Sequence, residues 1–407
     1  MDGVPTQADA VLTRAGGVPE NAGGVPGWAV GVRAWVWAAV AVGCAVVVAL
    51  LVMAGDGLVD LQVYRAGGDA VLRGLPLYGP GFPYTTPALP DLPFTYPPFA
   101  ALLFAPFGLL AWPSSMVVMT VIGALALCGT CVVTARTAVP LAKALPVGAG
   151  LAVVCVLLEP MRANITFGQI NLVLMLLVVA DCLLPRTPWP RGLLIGIAAA
   201  VKLTPAAFVL FFLVRNQWKP ILTAVGGFLG ASAVAFVVLP SASVQYWTST
   251  VFRTDRIGDV RYGDNQSLGG TLARLGTQSW LLVLVVLTVA VTWFVAYRLR
   301  DKALLSLLVV ATGALLASPV SWEHHWSWAA PAFVGLAIYA WQSRNWGITA
   351  LGALALLPFA LGLYRFARRG GGVESHWTVT EHMIGNAYVF TGVAVLAAFL
   401  VSRRLRA

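Results

Sequence analysis

The chain has 407 residues, 59% of them hydrophobic and only 10% charged, with a formal net charge of +10. So few polar side chains cannot coat a soluble globule of this size, which excludes a soluble fold and predicts an integral membrane protein. No nucleic-acid partner is expected, because the basic excess is accounted for by membrane topology, as follows.

Residues 1–33 are rich in Gly, Pro and Ala and repeat Gly-Gly-Val-Pro at 16–19 and 23–26. Such a composition builds no core, so this stretch is read as a disordered cytoplasmic tail, and 34–407 as one transmembrane domain. The uncharged run 34–54 is long enough, at 1.5 Å per residue, to cross a hydrocarbon core of about 30 Å. It is too long for a usual signal-peptide core and reads as an uncleaved anchor. Further apolar runs lie near 114–135, 145–158, 170–184, 192–201, 204–214, 220–239, 279–297, 303–317, 328–341, 346–363 and 385–402. Segment 98–112 is left out of the crossings, because Pro97, Pro98 and Pro106 interrupt it and it reads as interfacial or re-entrant. The prediction is an all-α, polytopic membrane protein with about twelve transmembrane helices.

Both termini then share one side. Placing them in the cytoplasm puts 15 of the 26 basic residues but only 5 of the 16 acids inside, so the net charge is all cytoplasmic. The inner turns are short basic connectors. The outer segments 55–113, 159–169, 241–278, 318–328 and 364–384 are longer and hold the unusual polar residues, which predicts an extracytoplasmic active surface. The cysteines Cys44, Cys128, Cys131, Cys155 and Cys182 lie in or beside apolar runs and read as small core residues, with no structural zinc site.

Several polar residues demand an explanation. Asp60 sits just past the first apolar run, where a carboxylate either is solvated and caps a helix or serves chemistry. Lys202 interrupts an apolar stretch flanked on both sides by basic connectors, which predicts two half-length helices meeting there. It either snorkels to the interface or offers a fixed cation to a lipid phosphate. Loop 241–278 contains Arg253, Arg256, Arg261 and Arg274 interleaved with Asp255, Asp259 and Asp264, the side chains of surface ion pairs or of bidentate phosphate contact. His324 and His325 stand at an outer helix mouth. Adjacent helical residues point about 100° apart, so shared chelation of one metal is disfavoured, and a packed, a catalytic or a phosphate-contacting histidine are the readings left open. The chain has neither a phosphate-binding Gly-Lys-Ser/Thr loop nor an Asp-x-Asp pair, so a glycosyl donor would have to arrive as a membrane lipid.

The ordered segments Asp60 with Val63-Tyr64, Phe94-Thr-Tyr96-Pro97-Pro98, Asn164 to Gly168-Gln169-Ile-Asn171, Lys202-Leu-Thr-Pro205, Asn265-Gln266-Ser267 and Ser318-Pro-Val-Ser-Trp322-Glu-His324-His325 resemble glycosyltransferase family 87. The resemblance implies a membrane fold of GT-C type with its active site in outer loops and interfacial helices. It also implies a plasma-membrane enzyme of a mycobacterium-like bacterium, most similar to the α-1,2-mannosyltransferases that extend phosphatidylinositol mannosides. The expected donor is polyprenyl-phosphate-mannose, and the expected acceptor is a phosphatidylinositol tetramannoside taken to the pentamannoside with inversion. On this resemblance Asp60 is the general base and His324 a second catalytic residue. Lys202, His325, Arg253, Arg256 and Arg261 hold the donor phosphate, while Tyr64, Gln169, Asn171, Asn265, Trp322 and Glu323 contact sugars. Neither metal nor cofactor is expected beyond the lipid-linked donor, and the protein is expected to be a monomer among membrane lipids. Two alternatives are an arabinofuranosyltransferase or lipomannan-branching mannosyltransferase of the same family, and a lipid or sugar transporter.

Overall fold

The structure is a computed structural model describing residues 57–83 and 92–402, so the tail at 1–33 and the first crossing at 34–54 lie outside the described residues. Among the described residues every regular element is helical, and the one extended pairing is an isolated antiparallel bridge between Asn265 and Trp322. In chain order the helices are α1 (Val59–Arg73), α2 (Pro98–Leu109), α3 (Trp112–Ala135), α4 (Leu141–Cys155), α5 (Glu159–Phe167), α6 (Asn171–Leu183), α7 (Leu193–Val201) and α8 (Val209–Leu213). They continue as α9 (Trp218–Val238), α10 (Pro240–Thr248), α11 (Leu268–Arg274), α12 (Leu281–Arg298), α13 (Ala303–Ala317), α14 (Ala329–Ser343), α15 (Trp346–Leu361), α16 (Val379–Gly385) and α17 (Ala387–Val401).

Among the described residues, α3, α9 and the segment Gln278–Arg298 that contains α12 are long and apolar enough to cross a membrane unaided. Two bent pairs, α4 with α5 at 80° and α16 with α17 at 68°, are each a broken span or a re-entrant loop, and raise the number to five where each counts as one span. The remaining apolar helices are shorter. They stop where the sequence turns polar: α4 gives way to Glu159-Pro160, α6 begins at Asn171, and α7 ends at Lys202. Lys202 is extended (φ −149°, ψ 129°), and a 3-10 turn over Thr204–Phe208 leads into α8, so two half-helices do meet at this lysine. Segment Pro98–Leu109 is a 12-residue helix with Pro106 inside it, about 18 Å long and too short to cross alone.

Small residues bring the helices close. A Cβ on Gly196 would stand 2.2 Å from the Ala224 carbonyl oxygen, so α7 and α9 cross at backbone contact, the packing that replaces the hydrophobic effect in lipid. The start of α7 is held by Asp181, which is fully buried. Its Oδ1 accepts from Trp189 Nε1 (3.1 Å) and Gly192 N (2.9 Å), and its Oδ2 from Ile195 N (3.1 Å). These bonds satisfy orphan donors of the helix and compensate a buried carboxylate.

The short basic connectors are tied to one another. Arg215 donates to Ser306 Oγ (3.2 Å), Arg298 to the Leu400 (2.8 Å) and Ser402 (2.9 Å) carbonyls, and Gln342 to the Ala138 carbonyl (3.1 Å). The segments that contain Asp60, Gln169 and His324 converge with the break at Lys202.

Candidate active site

Asp60 lies in the first turn of α1, where it is partly exposed. Its carboxylate lies beside the Gln169 side chain, which favours its charged form, and in the fields of His324 and Lys202. Burial raises its pKa, while His324, Gln169 and Lys202 in that order pull the other way. Gln169 reaches α1 because α5 ends on Gly168 in the left-handed conformation (φ 67°), where a Cβ would come within 2.7 Å of Leu61 Cβ. One turn along α1 from Asp60, and so on the same face, Tyr64 is fully buried and stacked on Phe104 with centroids 4.2 Å apart. Its hydroxyl donates to Gln169 Oε1 (2.9 Å), lies 2.9 Å from the Tyr96 hydroxyl, and accepts from Ile170 N (3.4 Å). Tyr64 and Gln169 were expected to contact sugar. Here the Tyr64 hydroxyl is bonded to Gln169, Tyr96 and the Ile170 N–H.

The facing wall is cationic. Lys202 Nζ donates to Asn171 Oδ1 (2.8 Å) and lies 3.0 Å from His325 Nε2 and 5.5 Å from the Tyr96 ring centroid. Asn171 Nδ2 donates to Asn164 Oδ1 (3.1 Å), and Asn164 Nδ2 donates to the carbonyls of Pro160 (2.7 Å) and His324 (2.7 Å). A continuous chain therefore runs from the His324 backbone through two amides to Lys202. Because an ammonium only donates, His325 Nε2 must accept from it. Burial, followed by Lys202 and His324, pushes His325 well below the usual imidazole range, which fits a neutral acceptor.

His324 is buried beside Phe167, with Nδ1 3.4 Å from Glu323 Oε1 and no protein partner for Nε2. Burial lowers its pKa to about 4, against the opposing pull of Asp60. The two imidazole rings stand at 88° with centroids 4.7 Å apart. Glu323 is buried as well, and burial followed by the Asp264 charge pushes its carboxyl well above the usual range. Among the described residues no three His, Cys, Asp or Glu side chains are grouped to hold a metal.

A cavity of about 620 Å³ adjoins the cationic wall. Leu174, Phe208, Trp293 and Leu315 line its apolar body, and Asn171 and His325 lie on its polar side. It is shaped and lined as a place for hydrocarbon next to a charged group.

The loop residues divide. Asn265 is fully buried, with Nδ2 donating to the Val260 carbonyl (2.9 Å) and Oδ1 accepting from Ser321 N (3.0 Å), so its amide clamps loop 241–278 to segment 318–328. Asn164 and Asn265 both begin glycosylation sequons by pattern, and both are buried as amide-bonded struts. Trp322 is half-buried against Gly258 and Tyr262, which leaves part of its ring open. Arg261 is half-exposed and paired with Asp259 (3.1 Å) in a separate surface depression. Arg256 lies over the Tyr78 ring (5.8 Å), and Arg253 is exposed after the Thr250–Phe252 turn. The structure therefore brings Asp60, Tyr64, Gln169, Asn171, Lys202, His324 and His325 together and leaves Arg261 outside that group.

Residues 94–319 match the family model described as Glycosyltransferase family 87. The chain belongs to glycosyltransferase family 87. It is similar to the Mycolicibacterium smegmatis protein named polyprenol-phosphate-mannose-dependent alpha-(1-2)-phosphatidylinositol mannoside mannosyltransferase, at 42% identity over 83% of this chain and 82% of that one. The Mycobacterium tuberculosis protein of the same name is 39% identical over 74% of this chain and 75% of its own. A Mycolicibacterium smegmatis protein named as the corresponding phosphatidylinositol pentamannoside mannosyltransferase is 34% identical over 76% of this chain and 79% of its own. No solved structure matches. Of the site just described, this family 87 glycosyltransferase has Tyr96, Asn164, Gln169, Asn171 and Lys202 inside the matched segment, while Asp60 and the histidines lie outside it and join by folding.

Sequence reasoning assigned no role to Tyr96, Asn164 or Glu159. The first two were spelled out in the motifs that carry the resemblance. Glu159 had no such signal, and it accepts from the hydroxyls of Tyr364 (2.8 Å) and Tyr388 (2.8 Å), which anchors the bend between α4 and α5.

Proposed function

We propose that the chain transfers a mannosyl group from polyprenyl-phosphate-mannose to the 2-hydroxyl of a mannose on a phosphatidylinositol mannoside, with Asp60 as general base and inversion at the anomeric carbon. The observation that carries this reading is the apposition of one carboxylate, Asp60, to a fixed cation, Lys202 with His325, beside an apolar cavity. The prenyl chain would occupy that cavity and its phosphate would meet Lys202 and His325. The acceptor oxygen forms a bond to the anomeric carbon as the bond from that carbon to the phosphate oxygen breaks. The hydroxyl proton passes to Asp60, and the electron pair leaves on the polyprenyl phosphate.

The chemistry needs these two groups and little more. A phosphate is already a good leaving group, so it requires charge stabilisation rather than a proton, while the attacking hydroxyl requires a base. The transition state has oxocarbenium character, which a nearby carboxylate also stabilises. His324 Nε2 suits a sugar hydroxyl, and the open part of the Trp322 ring suits a sugar face. Arg253 and Arg256 would serve the acceptor's phosphate or the membrane surface. Lys202 supplies the charge a metal would otherwise bring, so turnover is expected to survive excess chelator.

The charge distribution supports an orientation with both termini cytoplasmic, about twelve crossings and the site on the extracytoplasmic face. The step from tetramannoside to pentamannoside by a monomer is the acceptor and state we favour. The test is sugar transfer by the purified protein and by Asp60→Asn, given polyprenyl-phosphate-mannose and a phosphatidylinositol tetramannoside with chelator present. Transfer by the wild type alone is expected. Turnover by Asp60→Asn would overturn the base, and absence of transfer by the wild type would redirect the donor to arabinose.

A further inference from the structure

The support of Asp60 has a direction. The single hydroxyl proton of Tyr64 is donated to Gln169 Oε1 at 2.9 Å. With Oε1 accepting, the amide's donor end is left for its other neighbours, among them the Asp60 carboxylate, whose charged form Gln169 favours. Tyr64 has no second proton, so the 2.9 Å contact with Tyr96 must be donated by the Tyr96 hydroxyl, and Ile170 N–H adds a second donor to the same oxygen at 3.4 Å. Flipping the Gln169 amide would leave the Tyr64 proton without its acceptor and set an oxygen against a carboxylate, an arrangement costly where water is excluded. Ring stacking on Phe104 fixes where the Tyr64 hydroxyl stands.

We propose that Tyr96, Tyr64 and Gln169 form a one-way hydrogen-bond relay that holds the Gln169 amide as a donor to Asp60, so that Tyr64 and Tyr96 are positioning residues for the base. The proposal rests on the reading of Asp60 as that base. The other groups around Asp60 are Lys202, which follows α7, and Glu323 and His324 from the 318–328 segment. Lys202 Nζ stands 5.5 Å from the Tyr96 ring, both tyrosines lie in the field of Asp60, and Gln169 also reaches Tyr96, so Tyr64 is the position at which a single proton bonded to the Gln169 amide can be removed.

The test is the pH dependence of kcat for Tyr64→Phe, with KM for both substrates and the thermal midpoint measured alongside. The substitution keeps the stacked ring and removes one proton. We expect kcat at neutral pH to fall roughly 10-fold with KM little changed, and the acid limb to move up by about one pH unit, because a carboxylate that loses a donor holds its proton more tightly. Tyr96→Phe should move the limb in the same direction by less, since Ile170 N–H still bonds Tyr64. An unmoved limb in Tyr64→Phe, whether kcat is unchanged or falls equally at every pH with the thermal midpoint, would overturn the relay. Asp60→Asn separates the two ideas. If it is inactive and Tyr64→Phe has the wild-type limb, the relay fails and the base stands; if Asp60→Asn turns over, the base assignment fails first.

Discussion

The two walls of the site are built on opposite principles. Asp60 has neutral neighbours, a glutamine amide backed by two tyrosine hydroxyls, with His324 and Lys202 acting on it through space. Lys202 is held by direct contacts to an asparagine oxygen and an imidazole nitrogen, both neutral acceptors. Neither wall pairs its charge directly with the opposite one. A carboxylate locked in a salt bridge to Lys202 would be a poor base, and an ammonium so locked a poor phosphate site. Separating them with amides keeps each charge available to substrate.

The sharpest way to break the comparison is Lys202→Met, which keeps the length and removes the charge. It should lower kcat/KM by roughly 10²–10³-fold, the scale of one lost electrostatic stabiliser, with the loss carried by the donor. Steady-state kinetics with wild-type values would return Lys202 to the role of an interfacial anchor. Next is Asn164→Leu, which removes the side-chain donor to the buried carbonyls of Pro160 and His324 and leaves the Asn171 amide without its acceptor. Unfolding in detergent should show a loss of about 1–3 kcal/mol, together with slower turnover. An unchanged melting curve and rate would mean that the chain from His324 to Lys202 is idle.

The pH profile sharpens the same contrast. Asp60 must be ionised to act as a base, and its pKa is raised by burial, so activity should be lost as pH falls through a limb above the ordinary aspartate value. His324, pushed down to about 4, is already neutral in that range and should add no limb near neutrality. A limb in Asp60→Glu identical to that of the wild type would argue against the assignment. The smallest effect belongs to Arg261→Ala. This residue is half-exposed and paired to Asp259 away from both walls, and such pairs contribute little, so transfer rates should stay within about 2-fold. A much larger loss would place the acceptor over the 241–278 loop.

Much of the site was legible because each key residue violates its surroundings. Asp60 and Lys202 are charges in apolar context, and the break at Lys202 followed from the basic connectors on either side of it. Roles were harder to read than positions. Asn265 looked like a sugar-reading amide, yet both ends of its side chain clamp backbone. Tyr64 looked like a sugar contact and is stacked on Phe104. Arg256 and Arg261 belong to one loop in sequence, but Arg256 lies over Tyr78 and Arg261 pairs with Asp259. A side chain has a fixed number of protons and lone pairs, and which partners use them often depends on distant segments: the Tyr64 hydroxyl meets Gln169 and the Asn164 amide meets the His324 carbonyl.

The sequence by itself determined the membrane class, the family and the gathering of polar residues into a few long segments. Composition, hydrophobic run length and the side preference of basic residues are local or summed properties that need no contact to be read. Tertiary structure alone decided that His325 rather than His324 meets Lys202, that the Gln169 amide oxygen accepts from Tyr64, and that two amides couple the His324 backbone to the cation. Each of these is a hydrogen-bond direction between distant segments, fixed only when α1, α5, α6, α7 and the 318–328 segment are packed together.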